Sequence, residues 1–274
     1  MNGIVLVNKP SGYTSRDIVN IVGKKLNTKK IGHTGTLDPL AQGVLILCVG
    51  KATKLVQILS ADTKEYIAGI TLGTLTDTLD IEGNILKEES VNFTKEQIIT
   101  AINSLKGKYI QEVPIYSAVK VNGKKLYEYA RENISVELPK REVEIFNIEL
   151  LDGPIYENNK VKFNIKCKVS KGTYIRALAN DIASKLNTIG IMNSLKRIKQ
   201  GNIDIDMCQT LEEIENDNFA VLPMEYILKD YYEVKMNDEL YNKDLIKFTY
   251  NNKIIALYKS VNNELKCYIM LNND

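Results

Sequence analysis

The spacing of apolar residues predicts both helices and strands, so the expected fold class is α/β, of the α+β kind. Residues 161–169 alternate between apolar and polar positions, as expected of a strand with one buried face. Residues 175–186 carry apolar side chains at helical spacing, which predicts an amphipathic helix. Two more helices are predicted to begin near Ser15, the expected N-cap, and at Thr94, where Gln97 completes a capping box.

Other apolar runs predict strands that end in turns rich in glycine, proline and polar residues. They span residues 4–10, 65–85 and 141–151. Residues 29–43 contain glycines, a proline and small polar residues, so we expect an ordered loop there. Residues 122–141 are polar and weakly patterned, which favours a protruding arm.

The last 50 residues differ in character from the rest of the chain. They are rich in asparagine and tyrosine, and two apolar runs flank Asn262 and Asn263, which predicts a β-hairpin. We therefore expect residues 225–274 to form a small β-rich appendage.

Charge is unevenly distributed, although the net charge is only +2. Residues 211–274 carry 12 acidic and 7 basic side chains, which leaves 29 basic and 22 acidic side chains in residues 1–210. A polyanion is therefore expected to bind the first three-quarters of the chain, unless the skew arose by chance.

The sequence has few residues that could bind a metal. The four cysteines are far apart and His33 is the only histidine, so the spacing of a zinc site is missing, and we expect neither a metal nor a cofactor. Scattered cysteines do not suggest a disulfide scaffold, which favours a cytoplasmic protein with reduced thiols. The N-terminal residues do not resemble a signal peptide, and no apolar run approaches the roughly 20 residues that span a bilayer.

The densest group of chemically useful residues lies in residues 32–43. Its glycines permit tight turns or the close approach of a ligand. Asp38 precedes Pro39, which biases the aspartate towards an extended conformation. A carboxylate fixed on a loop suits nucleophilic or general-base catalysis. The alternative is that Asp38 only caps a turn, because Asp-Pro is a common turn dipeptide.

Aromatic and guanidinium groups occur at two further places. Tyr66 lies on a predicted strand, and Tyr174 and Arg176 lie where a predicted helix begins. Both kinds of side chain stack on unpaired bases, and a guanidinium can also pair with a carboxylate and keep it ionised. Taken alone, such residues are more often a core tyrosine and a surface arginine than parts of a binding site.

Six ordered blocks of sequence resemble the TruB family of tRNA pseudouridine synthases. The blocks are NKPSGYTS, KIGHTGTLDPLAQGVL, KEYIAGITLGTLTDTLDIEG, VPIYSAVKVNGKKLYEYAR, SKGTYIRALANDIA and LKRIKQG. They run through most of the first 200 residues, and several ordered blocks are far more specific than one short motif.

The resemblance implies a role for each candidate residue. Asp38 corresponds to the catalytic aspartate and Arg176 to the arginine that pairs with it. Tyr66 corresponds to the tyrosine that stacks on the target uracil, with its hydroxyl near C5. His33 corresponds to the histidine that fills the gap left in the RNA by the flipped nucleotide. The other implied substrate-binding residues are Gly35, Thr36, Tyr174 and Leu195, the last of which is expected to line the pocket.

The implied activity is the isomerisation of one uridine in the T-loop of tRNA, at position 55, to pseudouridine. Asp38 could attack ribose C1′ or uracil C6, or abstract the C2′ proton, and the sequence leaves this choice open. Two alternatives remain: a non-catalytic RNA-folding factor that uses the same groove, and the guide-RNA-dependent branch of the superfamily.

The resemblance also implies an architecture. It predicts a pseudouridine synthase fold, with a mainly antiparallel central sheet flanked by helices, in residues 1–224. Residues 122–141 are expected to grip the T-loop, and residues 225–274 to form a short PUA-like domain. The expected partner is the T-arm stem-loop of tRNA, with no membrane and no obligatory protein partner, and the protein is expected to be a monomer.

Overall fold

The structure of the protein, a computed structural model, describes residues 1–60, 63–228, 232–233, 245–250, 253–261 and 264–271. Its strands are β1 (Gly3–Lys9), β2 (Ile31–His33), β3 (Gln42–Val49), β4 (Lys64–Leu72), β5 (Thr74–Thr76), β6 (Ile85–Glu88), β7 (Gly107–Glu112), β8 (Lys120–Val121), β9 (Lys124–Lys125), β10 (Lys140–Glu157), β11 (Lys160–Val169), β12 (Gly190–Gln200), β13 (Ile203–Asp204), β14 (Gln209–Thr210), β15 (Tyr232–Glu233), β16 (Ile246–Tyr250), β17 (Lys253–Val261) and β18 (Glu264–Met270). Its α-helices are α1 (Ser15–Lys25), α2 (Val56–Leu59), α3 (Lys95–Asn103), α4 (Leu126–Arg131), α5 (Ile175–Lys185), α6 (Leu211–Glu215) and α7 (Met224–Leu228). The predicted α/β fold class is confirmed.

The chain forms two compact units, of which the first comprises Met1–Pro39, Val44–Ser60 and Asp206–Asp274. In this unit β1 is parallel to β14 and lies next to β3, while β2 is antiparallel to β3. Helices α1 and α6 contact each other, and both contribute side chains to an apolar core. That core consists of Val5, Val7, Ile18, Val19, Val22, Leu45, Leu47, Val49, Leu211 and Ile214.

Helix α1 begins where predicted, but its N-cap is Thr14 rather than Ser15. The Thr14 side chain accepts a hydrogen bond from the Asp17 N–H, and the Asp17 carboxylate accepts one from the Thr14 N–H at 2.8 Å. Ser15 is the first helical residue and is buried. The prediction was wrong by one residue because two adjacent hydroxyl side chains fit the N-cap pattern equally well.

The second unit comprises Leu40–Gly43 and Ala61–Ile205. Its strands lie in the order β12, β4, β11, β10, β7, and each is antiparallel to its neighbour. Helix α5 contacts β12, β4 and β7, and helix α3 contacts β10. The predicted alternation of β11 is confirmed, since its alternate side chains are buried: Val161, Phe163, Ile165, Cys167 and Val169. The predicted capping box of α3, formed by Thr94 and Gln97, is also present.

Glycine is required where β3 meets β12 in the second unit. Gly43 pairs with Arg197, and its φ of 106° lies in a region that other residues rarely adopt. A Cβ atom at this position would lie 2.1 Å from the Arg197 carbonyl oxygen. The last glycine of the motif at residues 32–43 therefore allows two strands to approach closely.

Two segments predicted to be irregular contain regular structure. The expected loop at residues 29–43 includes strand β2 and the start of β3, so the loop prediction was wrong for those residues. The expected arm at residues 122–141 contains β9, α4 and the start of β10. Strands β8 and β9 are joined by Asn122 and Gly123, whose φ angles of 51° and 83° fit a type I′ hairpin turn.

The C-terminal part of the chain is β-rich, as predicted. Strands β15, β16, β17 and β18 form a sheet in that order, and Val261 of β17 lies opposite Glu264 of β18. The predicted hairpin is confirmed, although Asn262 and Asn263 lie outside the described residues. Within the first unit, the Lys54 ammonium donates a 2.6 Å hydrogen bond to the Met270 carbonyl of β18. Among the described residues, no helix is both long and apolar enough to cross a membrane.

Candidate active site

The loop that carries Asp38 is anchored on both sides of the aspartate within the first unit. The Leu37 N–H donates to the Ser15 hydroxyl at 2.9 Å, and that hydroxyl donates to the Leu37 carbonyl at 3.1 Å. On the other side, the Pro39 carbonyl accepts a hydrogen bond from the Gly12 N–H at 2.9 Å. Leu37 is buried, whereas Asp38 remains partly exposed. The main chain thus fixes Asp38 and leaves its side chain accessible to a ligand.

A buried lysine completes this anchoring. The Lys9 side chain is 0% exposed, and its ammonium donates to the carbonyls of Tyr13 at 2.6 Å, Pro10 at 2.9 Å and Pro39 at 3.3 Å. A lysine is almost never fully buried unless its charge is compensated, and these carbonyl dipoles supply compensation. Lys9 therefore ties the end of β1 to the residue that follows Asp38.

The remaining candidates of the first unit lie on the same segment. His33 ends β2 and pairs with Leu47 of β3. Thr34 continues this pairing, since its N–H donates to the Ile46 carbonyl at 3.2 Å, and its side chain is buried. Gly35 is half-buried and Thr36 is exposed. His33 and Asp38 are therefore the ends of one six-residue segment that begins in a strand and ends in the anchored loop.

Tyr66 and Leu195 lie on one face of the sheet in the second unit. Tyr66 of β4 is opposite Arg197 of β12, and Leu195 of β12 is opposite Ala68 of β4. Residues opposite each other on adjacent strands point to the same face, and so do residues two apart on one strand. The exposed fractions of Tyr66 and Leu195 are 7% and 9%, so both are largely packed and present a small surface to solvent.

A buried cysteine next to Tyr66 is not a competing nucleophile. Cys167 of β11 lies directly opposite Tyr66 of β4. Burial raises the pKa of the Cys167 thiol to about 12, so the thiol is neutral near pH 7 and packs as a small apolar side chain.

Arg176 lies in the first turn of α5 and connects three segments of the second unit. Its guanidinium donates to the Thr78 carbonyl at 2.8 Å and to the Tyr116 carbonyl at 2.9 Å, and it lies 3.7 Å from the Asp80 carboxylate. Arg176 is 6% exposed and Asp80 is 5% exposed. Two carbonyl acceptors and a nearby carboxylate hold the planar guanidinium group of Arg176 in one orientation.

Each unit thus contributes a defined set of candidate residues. In the first unit, His33, Gly35, Thr36 and Asp38 share one continuous segment. In the second, Tyr66 and Leu195 share a face of the sheet, and Tyr174 and Arg176 share the start of α5. Among the described residues, no group of three or more histidine, cysteine, aspartate or glutamate side chains could hold a metal ion.

Sequence reasoning missed four residues that position these candidates. They are Lys9, Ser15, Asp80 and Gln111. Lys9, Ser15 and Asp80 lie inside blocks that resemble the TruB family, which is the one signal that could have drawn attention to them. Gln111 lies two residues before such a block, and its contacts depend on the tertiary structure alone.

A comparison with protein families settles which family this is. A family model described as TruB family pseudouridylate synthase (N terminal domain) matches residues 23–175, which is more than half of the chain. The chain belongs to the TruB family. Membership confirms the resemblance found in the six sequence blocks, and it makes the protein a pseudouridine synthase, an isomerase. The matched segment includes Asp38, Tyr66 and Tyr174 and ends one residue before Arg176.

Curated relatives in the TruB family match nearly the whole chain. A Lactobacillus acidophilus protein named tRNA pseudouridine synthase B is 39% identical over 280 residues, covering 94% of each chain. A protein of the same name from Alkaliphilus oremlandii is 42% identical, covering 98% of this chain and 90% of that protein.

Solved structures share the fold. A chain in the crystal structure of a Cbf5-Nop10-Gar1 complex matches with a TM-score of 0.68 and 24% identity, covering 98% of this chain and 85% of that chain. A chain of the archaeal box H/ACA sRNP Nop10-Cbf5 complex matches with a TM-score of 0.69 and 21% identity, covering 98% and 86%. Identities this low show the fold alone, and they confirm the predicted pseudouridine synthase fold with its large sheet.

Proposed function

We propose that this TruB family member isomerises the uridine at position 55, in the T-loop of tRNA, to pseudouridine, with Asp38 as the catalytic carboxylate. Relatives that are 39% and 42% identical carry the name tRNA pseudouridine synthase B and span nearly the whole chain, which supports tRNA as the substrate. The chains from the Cbf5-Nop10-Gar1 complex and the box H/ACA sRNP complex are only 24% and 21% identical, so a guide-RNA-dependent assembly is less favoured.

The catalytic role proposed for Asp38 rests on one observation: both of its neighbours in the chain, Leu37 and Pro39, are held by hydrogen bonds. Leu37 is held by the Ser15 hydroxyl, and the Pro39 carbonyl is held by two donors. A catalytic group held in its reactive position before the substrate binds loses no further freedom in the reaction, which lowers the entropic part of the barrier. An aspartate that only capped a turn would not need a buried lysine to hold the carbonyl of the next residue.

The reaction rearranges bonds within one nucleotide. The glycosidic bond between uracil N1 and ribose C1′ breaks, a bond between uracil C5 and C1′ forms, and the proton on C5 is lost while N1 gains one. Nothing is oxidised and no group is added, so side chains alone can supply the chemistry. Asp38 attacks ribose C1′ or uracil C6, or abstracts the C2′ proton, and all three routes require an ionised carboxylate at the target nucleotide.

The target base must leave the stack of the RNA loop before it can react. Moving the base out of the stack costs a few kcal/mol, and stacking of the base on an aromatic ring offsets roughly 1–3 kcal/mol of this cost. We assign this stacking to Tyr66, whose side chain lies on the same face of the sheet as Leu195. We also assign Arg176 a catalytic role, and in this proposal His33 fills the gap that the flipped nucleotide leaves. Gly35, Thr36 and Tyr174 complete the substrate-binding set.

Segments other than the candidate site residues also have proposed roles. Residues 122–141 contain cations close to tyrosine rings, with the Lys124 ammonium 5.0 Å from the Tyr129 ring centre, and we assign this segment to binding of the T-arm. We assign catalysis to residues 1–224 and a PUA-like role to residues 225–274. A cytoplasmic monomer that needs no cofactor, metal or obligatory protein partner is the simplest form of the enzyme.

The decisive experiment uses the pure protein, an unmodified tRNA transcript and no additives. Mapping of pseudouridine after incubation should give a single site, at position 55, and a matched transcript with cytidine at that position should give none. Pseudouridine at another position would contradict the site assignment. Tight tRNA binding with no pseudouridine at all would instead favour an RNA-folding factor.

A further inference from the structure

The side chain of Gln111 holds the main chain of Tyr174 at two points. The Gln111 side-chain oxygen accepts a hydrogen bond from the Tyr174 N–H at 2.8 Å, and the Gln111 side-chain nitrogen donates to the Tyr174 carbonyl at 3.3 Å. Tyr174 is the N-cap of α5, and its own side chain makes no capping hydrogen bond. Gln111 is 1% exposed, so these contacts are shielded from water.

Two more residues fix the orientation of the Gln111 amide. Its nitrogen also donates to the Tyr109 hydroxyl at 2.8 Å and lies 3.3 Å from the Asp181 carboxylate, while the Tyr109 hydroxyl donates to the same carboxylate at 2.9 Å. A flipped amide would set its NH₂ against the Tyr174 N–H and its oxygen against a carbonyl and a carboxylate. Only the observed orientation pairs donors with acceptors.

The ring of Tyr174 is held by a separate contact. The Arg141 guanidinium lies 5.7 Å from the centre of the Tyr174 ring, and Arg141 of β10 pairs directly with Gln111 of β7. Neighbouring strands thus hold the ring and the main chain of one residue. Arg176 follows two residues later, in the first turn of α5, so a shift of the Tyr174 main chain would also move the guanidinium.

We propose that Gln111 is a positioning residue for pseudouridine formation, which sets the start of α5 so that Tyr174 and Arg176 meet the substrate in the reactive geometry. This inference rests on the proposed function, because it needs those two residues to act at the active site. Gln111 is buried and contacts the main chain of Tyr174, so in this proposal it does not touch the substrate. Its loss therefore slows the reaction and leaves RNA binding largely intact.

The first test replaces Gln111 with methionine, which has a similar volume and makes none of these hydrogen bonds. We expect Gln111→Met to lower kcat by about 10- to 100-fold, because small displacements of catalytic groups have effects of this size. The KM for tRNA should change by less than about threefold. The matched control is Gln97→Met, which removes one exposed hydrogen bond at the start of α3, from the Thr94 N–H to the Gln97 side-chain oxygen, and should leave kcat unchanged.

The second test replaces Gln111 with glutamate, which mimics the amide only when it is protonated. Neutral glutamate can accept from the Tyr174 N–H and donate through its O–H, whereas the anion faces the Asp181 carboxylate and the Tyr174 carbonyl. The ratio of kcat for Gln111→Glu to kcat for the wild type should therefore fall with rising pH, by up to about tenfold per unit once the glutamate ionises. The same ratio for Gln111→Met should stay flat.

Several charged or titratable groups surround this position and contribute to that profile. On the strands they are Tyr109 and Glu112 of β7, Arg141 of β10 and Cys167 of β11, and on α5 they are Asp181 and Lys185. Burial raises the pKa of Asp181, and burial followed by the neighbouring Asp181 raises the pKa of Tyr109. The wild type carries the same groups, so dividing by its rate at each pH removes their common effect.

The outcomes separate the two proposals. A wild-type protein that forms no pseudouridine overturns the proposed function, and the role of Gln111 with it. An active wild type, combined with Gln111→Met at wild-type kcat, overturns the role of Gln111 alone. If Gln111→Met does not fold, Gln111→Glu gives the same comparison, and a pH-independent ratio in that variant overturns the proposal. A loss of kcat that merely follows the unfolded fraction, measured by circular dichroism at each pH, also overturns it.

Discussion

The buried ammonium of Lys9 provides the sharpest test of how the Asp38 loop is held. Replacement with methionine keeps the length and apolar stem of the side chain and removes all three hydrogen bonds to carbonyl oxygens. Two of those carbonyls, of Pro10 and Tyr13, lie in the turn after β1, and the third belongs to Pro39, next to Asp38. The substitution should therefore lower the stability of the fold and loosen the segment that carries Asp38.

The size of the effect follows from these contacts. Hydrogen bonds to charged groups contribute about 1.5–3 kcal/mol each, while removing a buried charge returns part of a desolvation penalty of several kcal/mol. We expect Lys9→Met to lower the free energy of unfolding by about 2–4 kcal/mol, because the three bonds exceed the recovered penalty. A loosened Asp38 should slow pseudouridine formation by about 10- to 100-fold at temperatures where the variant is folded.

Urea denaturation and release of tritium from C5-labelled uridine in tRNA measure the two effects separately. The control is Lys25→Met, which removes a partly exposed lysine that donates to the Glu215 carbonyl and pairs with Asp217 at 2.9 Å. Exposed pairs of this kind contribute less than about 1 kcal/mol, and the partners of Lys25, Glu215 and Asp217, lie outside the segment that carries Asp38. Equal losses of stability in the two variants, or a wild-type rate in Lys9→Met, would refute the reasoning.

Three further substitutions test separate parts of the molecule. Tyr66→Phe keeps the stacking plane and loses the hydroxyl, so tRNA should bind within a few-fold while single-turnover reaction slows by about 100-fold or more; near-normal kinetics would rule out proton transfer by the hydroxyl. Burial raises the pKa of Asp181 above its ordinary value of 3.8, so the folded state binds the carboxyl proton of Asp181 more tightly than the unfolded state does. The stability that this proton contributes to the fold is therefore lost as the pH rises through the raised pKa. As the pH rises above about 4, Asp181→Asn should therefore become more stable relative to the wild type in urea titrations, and a difference that does not change with pH would contradict this. Gly43→Ala should cost more than about 2 kcal/mol, because its Cβ would clash with the Arg197 carbonyl, whereas Gly107→Ala, with a similar φ of 94° and open space, should cost less; equal melting temperatures would contradict the clash.

Local patterns in the sequence predicted the elements that depend on neighbouring residues. The strict alternation in β11 and the helical spacing in α5 both match the observed burial. The capping box of Thr94 and Gln97 was predicted correctly, because its partners are three residues apart. The same argument placed the N-cap of α1 one residue late, because only the contact between Ser15 and Leu37 shows that the serine hydroxyl is engaged elsewhere.

Pairing between distant residues could not be predicted in this way. Strand β2 has three residues and exists because it pairs with β3, so its own composition predicts a loop. The hairpin at Asn122 and Gly123 is an exception, since this dipeptide is a strong hairpin signal that our reading of the polar arm overlooked.

In the candidate site, too, the sequence indicated individual residues but not the contacts between distant parts of the chain. Sequence blocks named Asp38, Tyr66 and Arg176 as candidates, because a family resemblance carries residue types over directly. The groups that hold them come from elsewhere in the chain: Arg176 binds carbonyls that are 98 and 60 residues away, and Lys9 reaches Pro39 across 30 residues. Such contacts depend on the fold, so sequence reasoning named the candidate side chains and missed the residues that hold them.

The most direct test of the central claim compares Asp38→Asn with the wild type on tRNA labelled with tritium at uridine C5. The substitution keeps the size of the side chain and removes its charge, so the variant should fold normally and bind tRNA within a few-fold of the wild type. We expect it to release no tritium above background under single-turnover conditions. Release at a substantial fraction of the wild-type rate would contradict the assignment of Asp38 as the catalytic carboxylate.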